Sequence, residues 1–393
     1  MDFVNDRSWS CYPQGLRATR RAFLQTFATA AAASALPQAA RAQDASAKIS
    51  DEPIPGFPPG GFPRGSTRLS FNENPLGPSP KVLEALSANG LVEAHRYNYI
   101  DPVIDAIAKH HDVPPKNVLI GCGSTEFLQF VPWAVLKDGG NIVLPTPTYG
   151  WSAGVAESMG REAVRVPLGQ LGTVDVAGLK RAMTAETRIL YIANPNNPTG
   201  AALDQDAVGE LVEALPKGAI FLVDEAYHDF LPDGKSALDF VRRDAPVLVL
   251  RTYSKAFGLA GLRLGYAIGP DAVIEKVKSV WWGDFGINSA AHIAGPVALA
   301  DQDHVHRYIR IVDEGLDQLR TGLKALGGEP FPHRAPFFMV DMKQRARPIV
   351  RQLLEKEIFV RDGSSWDMPS FMRVSVGTAE ENDIFLKALK KLV

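Results

Sequence analysis

Thr252-Tyr253-Ser254-Lys255-Ala256-Phe257-Gly258-Leu259-Ala260-Gly261-Leu262-Arg263 places one lysine on a Ser-Lys turn at the end of an apolar run. An arginine follows eight residues later, across a glycine-spaced segment. The amine can condense with an aldehyde, and the guanidinium can hold a phosphate. Alone, the run is better read as a surface lysine in a Gly-rich turn. The segments on either side decide between the two readings.

Apolar stretches at 118–121, 141–145, 163–166, 188–193, 219–223, 247–252 and 264–268 have the length of strands. Most are separated by helical patterns, as at 125–136, 176–183, 206–215 and 272–280. Short, nearly continuous apolar strands alternating with helices predict an α/β fold, a mostly parallel central sheet sandwiched by helices. From His304 the pattern changes to a long helix over 305–326 and strands at 337–341, 358–361 and 372–376. This predicts a smaller α+β domain. The expected division is a large domain over 96–300, a small C-terminal domain over 301–393, and a segment over 67–95 that packs with the small one.

The chemistry-bearing motifs fall at predicted strand ends, where ligands bind in such sheets. Gly121-Cys122-Gly123-Ser124-Thr125-Glu126 opens a helix, and its free N–H groups suit a phosphate. The same string would serve as a plain N-cap. Pro147-Thr148-Tyr149 can set an aromatic ring over a flat ligand, or bury it in the core. Asn194-Pro195-Asn196-Asn197-Pro198-Thr199-Gly200 is denser in amides than a tight turn requires. Phe221-Leu222-Val223-Asp224-Glu225 carries a carboxylate to the tip of a buried strand, where a charge needs a partner. A protonated pyridine nitrogen is such a partner. Lysine, arginine, amide and aspartate together indicate pyridoxal 5'-phosphate.

In this order, the motifs resemble fold-type I pyridoxal-phosphate enzymes of the class I/II aminotransferases, closest to the histidinol-phosphate aminotransferase family. The likeness extends to Asn72-Glu73-Asn74-Pro75-Leu76-Gly77-Pro78, Leu264-Gly265-Tyr266 and Met372-Arg373-Val374-Ser375-Val376-Gly377-Thr378. It implies that Lys255 forms a Schiff base with the cofactor and later transfers the proton. Asp224 pairs with the pyridine nitrogen, Asn197 and Tyr227 contact the ring hydroxyl, and Tyr149 stacks on the ring. Ser124, Thr125, Ser254 and Arg263 hold the phosphate. Tyr97 reaches the phosphate of a neighbouring subunit, which implies a homodimer. Arg373 binds the substrate carboxylate, Arg361 a distal anionic group, and Asn72 lies at the substrate.

The implied reaction moves an amino group between an amino acid, or a histidinol-phosphate-like amine, and a 2-oxo acid. Leu76 stands where family members using histidinol phosphate usually carry tyrosine. Trp151 and the aromatic run Trp281-Trp282-Gly283-Asp284-Phe285 could line an apolar pocket or fill the core. Decarboxylation, elimination or oxidation on the same fold is the alternative, and a non-catalytic cofactor-binding protein is a third reading.

Thr19-Arg20-Arg21-Ala22-Phe23-Leu24-Gln25, an Ala-rich apolar stretch and Ala40-Arg41-Ala42 have the order of a twin-arginine signal peptide over 1–42. The expected destination is the periplasm. Residues 43–66 are rich in Pro and Gly and read as a linker. The chain has 42 basic and 44 acidic residues with no basic run after the signal, so neither nucleic acid nor a lipid surface is an expected partner. Its two cysteines are Cys11 and Cys122, so the chain beyond residue 42 has no internal disulfide. No metal site is expected.

Overall fold

The computed structural model describes residues 61–89, 95, 101–231, 235–281, 283–333 and 335–393. The proposed signal, most of the linker, Tyr97 and Trp282 lie outside the described residues. A short strand β1 (Thr67–Arg68) precedes seven strands of one sheet. These are β2 (Val118–Gly121), β3 (Asn141–Thr146), β4 (Ala163–Pro167), β5 (Thr187–Ala193), β6 (Ile220–Asp224), β7 (Val247–Thr252) and β8 (Gly265–Ile268). They pair in the order β2-β8-β7-β6-β5-β3-β4. Only β8 runs against its neighbours β2 and β7; every other pairing is parallel.

The apolar runs are continuous because both faces of this sheet are covered. Alternate side chains of each strand enter two separate cores. Val118, Ile120, Leu190, Ile192, Val223 and Val249 belong to one. Leu119, Ile189, Tyr191, Leu222, Leu248 and Leu250 belong to the other. The helices Ser124–Leu136, Trp151–Ser158 and Asp271–Lys278 cover the second face with Phe127, Leu128, Ala153, Ala156 and Ile274. The helices Asp101–His111, Val176–Ala182 and Gln205–Glu213 cover the first with Ile107, Leu179 and Leu211. Asp175 and Asp204 cap two of these helices, accepting from Gly178 and Ala207 N–H at 2.8 Å each.

Towards the C-terminus come β9 (Glu329–Pro330), β10 (Phe337–Asp341), β11 (Ile358–Phe359), β12 (Arg361–Asp362) and β13 (Phe371–Ser375). An antiparallel sheet forms in the order β12-β13-β10-β9, backed by the helices Gln302–Ala325, Ala346–Leu354 and Ala379–Leu389. The stretch 358–361, expected as one strand, divides at Val360. β11 pairs with β1, whereas β12 pairs with β13. The cause is the N-terminal segment, which inserts beside β11: Leu69 N–H donates to Phe359 O at 2.8 Å, and Ser375 N–H donates to Leu69 O at 2.9 Å. Downstream, the same segment turns to the larger sheet. Asn74 Nδ2 donates to Ala256 O at 3.0 Å, and the helix Pro80–Asn89 packs on the helix Ser289–Ala300.

Candidate active site

The C-terminal ends of β2, β3, β5, β6 and β7 share one edge of the seven-stranded sheet. Because β8 runs the other way, its start lies on that edge too. A cavity of about 460 Å³ opens there, within the range typical of small-ligand sites. Ser124, Thr125, Tyr149, Asn197, Asp224, Tyr227, Ser254, Lys255 and Arg263 line its inner part. Asn72, Arg361 and Arg373 line it from the segment before the large sheet and from the C-terminal sheet. All the expected site residues that lie among the described ones are therefore in one cavity.

Lys255 follows β7, and its Nζ donates to Phe71 O at 2.9 Å. Burial lowers its pKa to about 8, Arg373 and Arg263 push the same way, and Glu73 and Asp224 oppose. Such a lysine is free amine for about a tenth of the population at pH 7, several hundred-fold more than an ordinary lysine. Asp224 ends β6 at 5% exposure, and its carboxylate accepts from Ala226 N–H at 3.1 Å. No other hydrogen bond to that carboxylate occurs among the described residues. Burial lifts its pKa to about 6, against the Ala226 bond and the Lys255 charge. A cationic N–H is the partner this arrangement suits.

The anion cradle forms around two glycines. Gly123, at φ 78°, precedes the helix Ser124–Leu136, and a Cβ there would meet the Arg263 guanidinium. A Cβ at Gly265 would meet the Ser124 nitrogen. Arg263 sits in the left-handed region at φ 54° and donates to Ser254 Oγ at 3.3 Å and Cys122 O at 3.4 Å. First-turn N–H groups, a hydroxyl and a guanidinium thus converge without an intrahelical acceptor for the N–H groups.

The three amides of the 194–200 loop divide their work. Asn194 bonds Leu203 through both Oδ1 (2.7 Å) and Nδ2 (3.3 Å). Asn196 accepts from Thr148 Oγ1 at 2.6 Å and donates to Thr199 and Pro147. These two build the turn. Asn197 faces the cavity, where its Oδ1 accepts from Arg373 Nη1 at 2.5 Å, which leaves Nδ2 to donate. Arg373 Nη2 also donates to Ser70 O at 2.5 Å, whereas its buried Nε has no hydrogen-bond partner among the described residues. Burial pushes Arg373 down to about 10, opposed by Tyr227 and reinforced by Arg361. Tyr227 Oη accepts from Asn72 Nδ2 at 3.0 Å, and Asn72 Oδ1 accepts from Ser375 Oγ at 2.7 Å. Asn72, expected at the substrate, is thus largely engaged in fixing Tyr227.

Sequence reasoning missed Phe71, Glu73 and Trp366, which also line the cavity. None belonged to a catalytic string, although Phe71 and Glu73 flank Asn72 and could have been found by adjacency. The tryptophans that had seemed candidates are elsewhere: Trp151 is 47% exposed, and Trp281 packs against the cores. Leu76 packs against the core. Among the described residues no cluster of potential metal ligands occurs, and no helix is long and apolar enough to cross a membrane.

Comparison with known proteins agrees with this geometry. The family "Aminotransferase class I and II" matches residues 64–389. "Histidinol-phosphate aminotransferase 2" of Pseudomonas aeruginosa is 37% identical, over 83% of this chain and 89% of its own. "Histidinol-phosphate aminotransferase" of Moorella thermoacetica is 34% identical, over 88% and 90%. The crystal structure of histidinol-phosphate aminotransferase from Sinorhizobium meliloti, in complex with pyridoxal-5'-phosphate, superposes with a TM-score of 0.76 at 27% identity. It covers 83% of this chain and 91% of that one. The chain belongs to the class I and II aminotransferases, pyridoxal-phosphate enzymes of fold-type I.

Proposed function

We propose that this aminotransferase takes its amino group from an amino acid and delivers it to a 2-oxo acid, with the roles divided as follows. Bound pyridoxal phosphate supplies an electrophilic aldehyde and an electron-accepting ring. Arg263, Ser254 and the N–H groups of Ser124 and Thr125 hold its phosphate. Asp224 keeps a proton on the ring nitrogen, Asn197 Nδ2 and Tyr227 Oη bind the ring oxygen, and Tyr149 covers one ring face. Arg373 orients the substrate α-carboxylate as a two-point receptor. Lys255 Nζ, with its lowered pKa, takes the proton from the substrate α-carbon and returns it on the other side of the transfer. Arg361 receives a distal anionic group.

The observation that carries this reading is the convergence of Lys255, Asp224 and Arg373 on one cavity. An arginine that retains the α-carboxylate favours transfer over decarboxylation. The test is an absorbance titration of the purified holoenzyme with single amino acids and with histidinol phosphate. The expected result is loss of the cofactor band on adding a donor and its return on adding a 2-oxo acid. Release of carbon dioxide, ammonia or peroxide instead would overturn the transfer reading, as would full turnover in Lys255→Ala.

The same proposal includes a cellular setting. Residues 1–42 direct the folded, cofactor-loaded enzyme through the twin-arginine route to the periplasm, and 43–66 act as a linker. The working unit is a homodimer in which Tyr97 of one protomer meets the cofactor phosphate of the other. The large 96–300 and small 301–393 regions act as separate domains, with the start of 67–95 joined to the small one and its helix Pro80–Asn89 to the large one.

A further inference from the structure

Two guanidiniums face the cavity, and one aromatic ring stands against both. Arg361 Cζ lies 5.7 Å from the centre of the Trp366 ring, and Arg373 Cζ lies 5.3 Å from it. Phe71 flanks Arg361 at 5.8 Å, and Phe337 flanks Arg373 at 5.4 Å. The two arginines are otherwise held differently. Arg373 is fixed by Asn197 Oδ1 and Ser70 O. Arg361 stands opposite Arg373 in the β12–β13 ladder, and its guanidinium makes no hydrogen bond to any described residue. The carboxylate beside it in sequence, Asp362, is engaged by Arg347 Nε at 2.9 Å and Ser364 Oγ at 2.9 Å.

Rings rather than carboxylates therefore hold Arg361. A guanidinium whose described side-chain contacts are rings keeps its N–H donors for an incoming anion. Two cations in one half-dry cavity repel, and an indole bordering both offers each the negative face of its quadrupole. Removing the indole frees Arg361 to swing away and leaves the repulsion unmoderated.

We propose that Trp366 places the Arg361 guanidinium relative to that of Arg373, and so is a specificity-determining residue for the distal anionic group that Arg361 receives. The inference rests on Arg373 receiving the α-carboxylate, as proposed above. Trp366 acts through the two arginines and is a positioning residue. A distal carboxylate and a distal phosphate present the same chemistry to Arg361, and the choice of probes separates them.

The test compares the parent holoenzyme with Trp366→Ala and Trp366→Phe. Amino transfer is measured from L-glutamate, O-phospho-L-serine, L-alanine and L-phenylalanine. Binding of the unreactive glutarate and butyrate is measured by calorimetry. In Trp366→Ala, glutarate affinity and the KM of the better anionic donor should worsen about tenfold, the worth of one desolvated cation–π contact. The L-alanine KM and butyrate affinity, which depend on Arg373 alone, should worsen several-fold less than those of the anionic donor and glutarate, and Trp366→Phe should recover most of the difference. L-glutamate outperforming O-phospho-L-serine identifies a carboxylate, and the reverse identifies a phosphate.

An equal loss on every donor and both acids would overturn the inference, as would a preference of the parent for L-phenylalanine. If Trp366→Ala fails to retain the cofactor band, glutarate binding to Trp366→Phe against Trp366→Gln decides instead: equal affinities overturn the spacing role. No transfer from any donor would sink the functional reading above, whereas the comparison of glutarate with butyrate would still judge Trp366.

Discussion

Asp224 is the residue at which stability and function oppose each other. Its pKa is about 6 against the ordinary 3.8, because burial disfavours the charged form. The folded chain then binds the proton more tightly than the unfolded chain. In the cofactor-free protein, stability is therefore lost as pH rises from about 4 to about 6, by roughly 3 kcal/mol, and the loss persists above that range. Asp224→Asn removes this charge. The cofactor-free variant should melt higher than the parent at pH 8 but not at pH 4, while its turnover falls at least about 100-fold, as when other preorganised polar groups are removed from active sites. Melting curves of both proteins at the two pH values, beside a kcat measurement, check it. Asp224, Lys255 and Arg263 were legible in the sequence because a charged residue at the end of an apolar strand has few reasons to be there. Trp366 was not, since an aromatic residue after Ser364-Ser365 has no periodicity or motif to mark it.

At the scale of elements, the strands act as rails that deliver side chains to a common edge. Next to Asp224, Glu225 pairs with Arg251 of β7 at 2.8 Å, both buried, and Ser236 Oγ donates to the same carboxylate at 2.7 Å. This pair ties the ends of β6 and β7 together and so sets the distance between Asp224 and Lys255. Arg251→Met should cost about 3–5 kcal/mol, because it leaves the Glu225 carboxylate buried without its counterion. Adding Glu225→Gln should return much of that loss, which urea unfolding of the single and double variants would reveal. A second prediction concerns the cradle. Gly265→Ala drives a methyl into the Ser124 nitrogen, a backbone atom unable to step aside. It should cost about 1–3 kcal/mol and weaken cofactor retention, read by dialysis against buffer and the remaining cofactor absorbance. Strand positions were readable from apolar runs, but the division at Val360 was not. Its cause is a pairing with Thr67–Leu69, some 290 residues earlier, and such distant partners leave no local trace.

At the scale of the whole molecule, the near balance of charges and a single cysteine beyond residue 42 leave burial as the main source of stability there. Cys122 is the one cysteine among the described residues, and it is free. The melting temperature of the chain beyond residue 42 should be unchanged by a reducing agent, although such an enzyme in the periplasm meets oxidising conditions. Export itself has a simple check. Replacing Arg20 and Arg21 together by lysine should leave the protein in the cytoplasm, active and cofactor-loaded, when cell fractions are assayed by immunoblot. Appearance of the variant in the periplasmic fraction would remove the export reading without touching the enzyme.

The reversed strand β8 has one more consequence. Because β8 starts on the same edge at which β7 ends, Ser254, Lys255 and Arg263 all sit on one short connection that never crosses the sheet. Arg361 and Arg373 sit on another short stretch, in β12 and β13 of a different sheet, with Trp366 in the turn between them. The gene thus carries two compact cassettes, one for gripping the cofactor and one for choosing the substrate. On the proposed roles, random variation confined to codons 364–370 would explore new donors while Arg373 and its bond to Asn197 are kept, which makes this fold an economical starting point for evolution in the laboratory.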